Sequence, residues 1–237
     1  MTQTEYALVV AGGKGTRFKS KLPKQFLELN GKPILIHTLE AFYRYSENIR
    51  LILVLPENEI QAWTEISKKH HFHKPLTLLA GGDTRFQSVR KGLEKIEGEG
   101  LVAIHDGVRP LVTTALIAAS FHYAAVHQSA VCAVSLKESI RMVEPGATMK
   151  DPSVGTETKA VDRSRFRLIQ TPQTFSARLI KEAYGMKEDP GITDDATVFE
   201  RAGHPVFLFE GSYQNIKITT PEDLLIAETL LLHPEIR

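Results

Sequence analysis

The chain has 237 residues, 42% of them hydrophobic and 24% charged, and its 29 Lys and Arg against 28 Asp and Glu leave a net charge of +1. A balance so near neutrality speaks against a nucleic-acid partner, the ordinary apolar fraction against disorder, and the lack of an apolar run of spanning length against a membrane partner. The opening Met1-Thr2-Gln3-Thr4-Glu5 lacks the features of a signal peptide, and the lone Cys132, which excludes an internal disulfide, sits in an apolar run. The expectation is a cytoplasmic enzyme with a buried structural thiol.

Tyr6 to Val10 is a short apolar run rich in β-formers and is read as a buried strand. It feeds Ala11-Gly12-Gly13-Lys14-Gly15-Thr16-Arg17-Phe18, where closely spaced glycines let the backbone turn and bring its amides close to a ligand. Arg17 and, in Leu22-Pro23-Lys24-Gln25-Phe26, Lys24 place two cations beside that turn, a combination suited to a polyphosphate. A dinucleotide fingerprint is excluded because Phe18 stands where its third glycine belongs. A P-loop is excluded because Gly31-Lys32 is followed by Pro33.

Ile34 to Tyr45 has helical apolar spacing, with Pro33 suited to the first turn. Ile49 to Leu55 reads as a strand closed by Pro56, and Asn58 to Lys69 as a helix. The following His70, His71 and His73 are a solvated helix end, since no Cys or carboxylate joins them at ligand spacing. Leu76 to Ala80 is a strand, after which Gly82 or Asp83 caps a helix running to about Ile96. Leu101 to Ile104 is another strand, and Asp106 follows at its carboxyl end, where open α/β sheets hold ligands. That carboxylate can coordinate Mg²⁺, bond a ribose or simply close a turn.

A helix over Thr113 to His127 and a strand over Ala130 to Ser135 come next. Lys137 to Asp162 breaks the pattern, with β-prone pieces at Ser139 to Val143 and Glu157 to Val161 around a polar middle, and reads as a projecting hairpin arm. Beyond Leu168 to Phe175, helices are expected from Ser176 to about Lys187 and after a Thr193 or Asp194 cap. A strand at Val206 to Phe209 and a last strand near Asn215 to Thr219 lead to a C-terminal helix with Pro221 in its first turn. The alternation predicts one α/β, Rossmann-like domain with a mostly parallel sheet and a β-arm.

Gly13-x-Gly15-x-Arg17 with Pro23-Lys24-Gln25 resembles the signature of sugar-phosphate nucleotidyltransferases. The likeness continues through Gly81-Gly82-Asp83-x-Arg85-x-x-Ser88-Val89 and His105-Asp106-x-x-Arg109-Pro110. It extends to Val161-Asp162-Arg163, Gln170-Thr171-Pro172-Gln173, Thr193-Asp194-Asp195-Ala196 and Asn215-Ile216-Lys217-x-Thr219. In this order and over nearly the whole chain, the motifs resemble the 2-C-methyl-D-erythritol 4-phosphate cytidylyltransferase family. Such an enzyme joins CTP to methylerythritol phosphate with Mg²⁺, releasing pyrophosphate. Because the nucleophile is already a phosphate anion, positioning and cations suffice, and the chain shows no Ser-His-Asp or Cys-His arrangement.

The resemblance implies roles residue by residue. Arg17 and Lys24 would stabilise the transition state and the leaving pyrophosphate, with Ala11, Gly12, Gly13 and Gly15 cradling the nucleotide. Gly82, Asp83 and Ser88 would recognise cytosine, and Asp106 would lie near ribose, metal and acceptor. Arg163 and Lys217 would position methylerythritol phosphate, with Arg109, Ser139, Thr171 and Thr193 lining its pocket. It further implies one nucleotidyltransferase domain over residues 1–237, an inserted dimerisation arm at about 137–162, and a homodimer in which Arg163 acts in the neighbouring subunit. One segment departs from the family's Pro-x-x-Asp-Thr-x-Lys: it reads Ser135-Leu136-Lys137-Glu138-Ser139-Ile140-Arg141, keeping a hydroxyl and a cation but lengthening the acid. The rival readings are a ribitol-5-phosphate cytidylyltransferase and a silent nucleotide-sensing module. Against the first stand the Gly-Gly-Asp-x-Arg and Val161-Asp162-Arg163 segments, and against the second the presence of both Arg17 and Lys24.

Overall fold

The computed structural model describes residues 3–12, 22–143 and 157–233. Strand β1 (Glu5–Val10) leads to a 3-10 turn at Lys24–Phe26 and a small ribbon of β2 (Glu28–Leu29) and β3 (Lys32–Pro33). Helix α1 (Ile34–Tyr45), β4 (Arg50–Leu55), α2 (Ile60–Lys69) and β5 (Thr77–Ala80) follow. Then come α3 (Arg85–Leu93), β6 (Leu101–Asp106), α4 (Thr114–His127) and β7 (Ser129–Ser135). A second ribbon pairs β8 (Arg141–Val143) antiparallel with β9 (Thr158–Ala160), apart from the main sheet. The chain ends with β10 (Arg167–Ser176), α5 (Ala177–Ala183), α6 (Asp195–Arg201), β11 (Leu208–Glu210) and α7 (Pro221–Leu232).

Seven strands form one sheet in the order β11-β7-β10-β6-β1-β4-β5. All its pairings are parallel except those of β10, which runs antiparallel between β6 and β7. Side chains alternate across it. Ala7 and Val9 of β1, with Leu51, Leu53 and Leu55 of β4, face a core built with Leu39 and Phe42 of α1 and Phe121 of α4. Tyr6, Leu8, Ile52 and Val54 face the opposite core, with Phe86 and Val89 of α3 and Phe199 of α6. Burial on both faces is why these strands read as unbroken apolar runs. Cys132 is fully buried, and burial pushes its thiol up to about 12, so it is inert at neutral pH. Among the described residues, no helix is long and apolar enough to cross a membrane.

Three expectations change, and one segment left without an element gains one. Helix α3 is capped by Thr84, whose hydroxyl accepts from the Gln87 amide at 3.2 Å; neither Gly82 nor Asp83 is the cap, and the Asp83 amide donates to the Gln87 side chain. The helix from Ser176 stops at Ala183, short of Lys187. Leu168 to Phe175, given no element above, belongs to the antiparallel β10. The strand expected near Asn215 does not form. Backbone groups there bond outside any ladder: Arg109 donates to the Asn215 carbonyl at 2.7 Å, and the Ile218 amide donates to the Val108 carbonyl at 2.9 Å. Gly13, Gly15, Arg17 and the middle of the expected arm lie outside the described residues.

Candidate active site

The parallel strands β1, β5 and β6 end on one edge of the sheet, and each delivers part of a pocket of about 250 Å³. From β1 come Val10, Ala11 and Gly12; from the turn after β5, Gly82, Asp83, Thr84 and Arg85, with Ser88 behind them; from β6, Asp106 and then Val108. Lys24 and Gln25 of the 3-10 turn and Lys217 ahead of α7 complete the lining. Two glycines make this closeness possible. A Cβ on Gly82 would stand 2.4 Å from the Gln87 Cβ, and one on Gly107 would stand 2.7 Å from the Ala11 Cβ and 3.0 Å from Leu35.

Gln25 fixes the start of the glycine-rich stretch: its buried amide donates to the Ala11 carbonyl at 3.0 Å and also to the Glu59 carboxylate. In the turn after β5, the Gly82 amide donates to the Ser88 hydroxyl at 3.1 Å, and that hydroxyl donates to the Thr84 carbonyl at 2.9 Å. These bonds shape the turn around the first residues of α3.

Asp106 is the electrostatic centre. Lys217 Nζ lies 3.1 Å from its Oδ2, Arg109 Nε donates to the same oxygen at 3.2 Å, and Arg85 Nε stands 3.9 Å from Oδ1. Burial pushes this carboxyl up, but Lys217, Arg85 and Arg109 outweigh it and hold it well below the usual carboxylate range. The backbone is held as firmly. The Asp106 amide donates to Thr171 Oγ1 at 3.1 Å, and that hydroxyl lies 3.0 Å from His105 Nδ1. His105 is fully buried, and desolvation takes its pKa down to about 3, so the ring is neutral. Its Nε2 faces the Arg109 carbonyl at 3.4 Å, an acceptor only, so the proton sits on Nε2 and Nδ1 accepts from Thr171.

The structure therefore gathers Ala11, Gly12, Lys24, Gly82, Asp83, Ser88, Asp106 and Lys217 around one pocket. Arg109 and Thr171 lie one layer behind it, buried and engaged with Asp106 and His105. Ser139, Arg163 and Thr193 are exposed and outside the pocket lining; the Arg163 guanidinium donates to the Lys137 carbonyl at the base of the ribbon. Arg85, Gln25 and His105 carried no role in the sequence reading, although each stands inside a quoted motif. Asp83 and Asp106 are the carboxylates that line the pocket, and among the described residues no cluster of three or more metal-ligating side chains occurs. That sparse set fits Mg²⁺, which binds through one or two carboxylates and otherwise through water and substrate phosphates.

The comparisons with known proteins agree with one another. A family model described as 2-C-methyl-D-erythritol 4-phosphate cytidylyltransferase matches residues 6–233. A protein of that name from Bacteroides fragilis is 46% identical over 225 residues, covering 95% of this chain and 98% of its own length. Its namesake from Clostridium acetobutylicum is 40% identical, covering 95% of this chain and 96% of its own. The crystal structure of 4-diphosphocytidyl-2C-methyl-D-erythritol synthase from Anaerococcus prevotii superposes with a TM-score of 0.79 at 26% identity, covering 97% of this chain and 99% of its own. The Thermus thermophilus 2-C-methyl-D-erythritol 4-phosphate cytidylyltransferase gives 0.72 at 29% identity, covering 97% and 98%.

Proposed function

The chain belongs to the 2-C-methyl-D-erythritol 4-phosphate cytidylyltransferase family, and we propose that it performs that family's reaction through Lys24, Lys217 and the residues around Asp106. The enzyme transfers CMP from CTP to methylerythritol phosphate, a step of isoprenoid biosynthesis. A phosphate oxygen of the acceptor attacks the α-phosphorus of CTP. A new P–O–P linkage forms as the bond to the β-phosphate oxygen breaks, and pyrophosphate leaves with the electron pair. No proton has to move, which suits a site where His105, beside Asp106 and behind the pocket lining, is buried and neutral.

Lys24 stabilises charge on the transferring and leaving phosphates, a task the resemblance also gives to Arg17. The amides from Ala11 onward receive the triphosphate. Gly82, Asp83 and Ser88 read cytosine, whose edge differs from that of uracil at position 4 in donor and acceptor. Lys217, anchored on Asp106 at 3.1 Å, holds the acceptor phosphate for attack. Asp106 would help to hold Mg²⁺, which when bound would supply charge that neutralises the phosphates. Arg163, Ser139 and Thr193 belong to the acceptor site of a homodimer in which the arm of one subunit completes the pocket of the other. The exposed Met142, Val143, Phe166, Leu168 and Ile169 on and beside the ribbon support such a contact. The ordinary composition and the lone buried Cys132 support a cytoplasmic setting.

The observation that carries this reading is the meeting of Lys24, Lys217 and the Gly82–Ser88 turn around Asp106 at the strand ends. A pyrophosphate-release assay crossing CTP, UTP and ATP with methylerythritol phosphate and ribitol 5-phosphate tests it. The expected result is release with CTP and methylerythritol phosphate only. Equal turnover with UTP would overturn the role given to Gly82, Asp83 and Ser88, and preference for ribitol phosphate would overturn the acceptor.

A further inference from the structure

We infer that Arg85 and Asp195 form a positioning pair that fixes the cytosine-reading turn and the Thr193 loop relative to Asp106. The two residues are 110 positions apart, and the contact is bidentate: Arg85 Nη1 donates to Asp195 Oδ1 at 2.8 Å and Nη2 to Oδ2 at 2.6 Å. Asp195 is fully buried and accepts a third hydrogen bond, from the Tyr184 hydroxyl, at 2.6 Å. The Arg85 guanidinium also lines the pocket, with Nε 3.9 Å from Asp106 Oδ1. One planar cation thus lies between two carboxylates.

Placement in the chain gives the pair its meaning. Arg85 is the first residue of α3, two positions after Asp83, and Asp195 is the first residue of α6, two positions after Thr193. Holding the two side chains together therefore holds the donor turn and the acceptor loop together. Neighbouring bonds brace each side: Gln87 of α3 donates through Nε2 to Glu188 at 3.1 Å, and Gln173 of β10 donates through Nε2 to Asp194, the cap of α6, at 2.9 Å. A buried ion pair is seldom more stabilising than packed apolar side chains, so stability alone does not call for one here. What a bidentate guanidinium–carboxylate pair adds is a single allowed geometry, in plane and in distance. An apolar contact tolerates sliding, which would let the base-reading turn drift against Asp106.

The test uses full-length Arg85→Lys, which keeps the charge and loses the fork, and Asp195→Asn, which keeps the shape and loses the charge. The wild-type preference for CTP over UTP is measured first, since the pair can govern selectivity only if Gly82, Asp83 and Ser88 read cytosine. Absence of that preference would overturn the cytosine assignment, and the pair's role with it, before any variant is made. In both variants cooperative thermal unfolding should persist. kcat/KM for CTP should fall roughly ten- to a hundredfold, the usual scale for a residue that orients others in a site. The CTP-to-UTP ratio should shrink by about tenfold, and KM for methylerythritol phosphate should rise at saturating CTP. A folded variant with the wild-type CTP-to-UTP ratio, whatever its rate, would overturn the positioning role. So would loss of cooperative unfolding in both variants, which would make the pair purely structural.

Discussion

Lys24 and Thr171 both have a part in the proposed reaction, yet they should fail differently when changed, because one lines the pocket and the other lies buried behind it. Lys24→Ala removes a cation from the developing phosphate charge. Steady-state kinetics should show kcat lowered by about 10²–10³ with CTP binding weakened far less, since the backbone amides from Ala11 remain. A variant with normal kcat and only a raised KM would assign Lys24 to ground-state binding instead. Thr171→Val keeps the shape and removes the hydroxyl that joins the Asp106 amide to His105 Nδ1. It leaves two buried groups unpaired, each costing about 1–3 kcal/mol. Urea unfolding should show that loss. A Thr171→Val protein of full stability with only a raised KM for methylerythritol phosphate would show that Thr171 acts by touching the acceptor.

At the scale of elements, the N-terminus of α7 carries more than its own helix. Asp223 accepts from the Thr219 amide at 2.7 Å, the Thr219 hydroxyl at 2.8 Å and the Thr220 amide at 2.8 Å, and the Asp223 amide donates to the Thr220 hydroxyl at 3.4 Å. This capping box ties down the end of the segment that bears Lys217. Thr220→Ala should cost about 1 kcal/mol of stability, read as a shift in the urea midpoint. Burial pushes the Asp223 carboxyl up, but the bonds from Thr219 and Thr220 outweigh it and leave its pKa below the ordinary value. Its contribution is therefore complete above the unfolded value of about 3.9 and fades as pH falls through the lower folded value. Stability measured from pH 6 down to pH 2 should drop less steeply in Asp223→Asn than in wild type; parallel curves would remove Asp223 from the acid limb.

For the whole molecule, the decisive experiment pairs lesions across subunits. Arg163 is exposed in the single chain and outside the pocket that holds Lys24. If Arg163 completes the neighbour's pocket, Arg163→Ala and Lys24→Ala homodimers should each be nearly inactive. Their tagged and purified heterodimer places both lesions in one site and leaves the other intact, so it should recover about half of wild-type activity; an unpurified random mixture should recover about a quarter. With Arg163 acting within its own chain, every site would carry a lesion and the heterodimer would stay inactive.

How much of this was legible beforehand follows from the range over which each feature is determined. The strand and helix pattern was local: Ile34–Tyr45 is the helix its spacing predicts, and the runs in β1, β4 and β6 are apolar because both faces of each strand are covered. Motif chemistry was local too, so the likeness to a cytidylyltransferase could be read from short segments, and the pocket collects Lys24, Gly82, Asp83, Ser88, Asp106 and Lys217 from them. What the sequence could not determine depends on partners far away in the chain. The antiparallel course of β10 shows only in its pairing with β6 and β7, and Asn215 to Ile218 is held by Arg109 and Val108 rather than by a ladder. Arg85 was visible as a motif arginine, but its bond to Asp195 across 110 residues exists only once α3 and α6 pack on the same face of the sheet. Local spacing selects the elements and the reactive groups; which groups meet, and which are buried together, is set by packing between segments that have no fixed spacing in the chain.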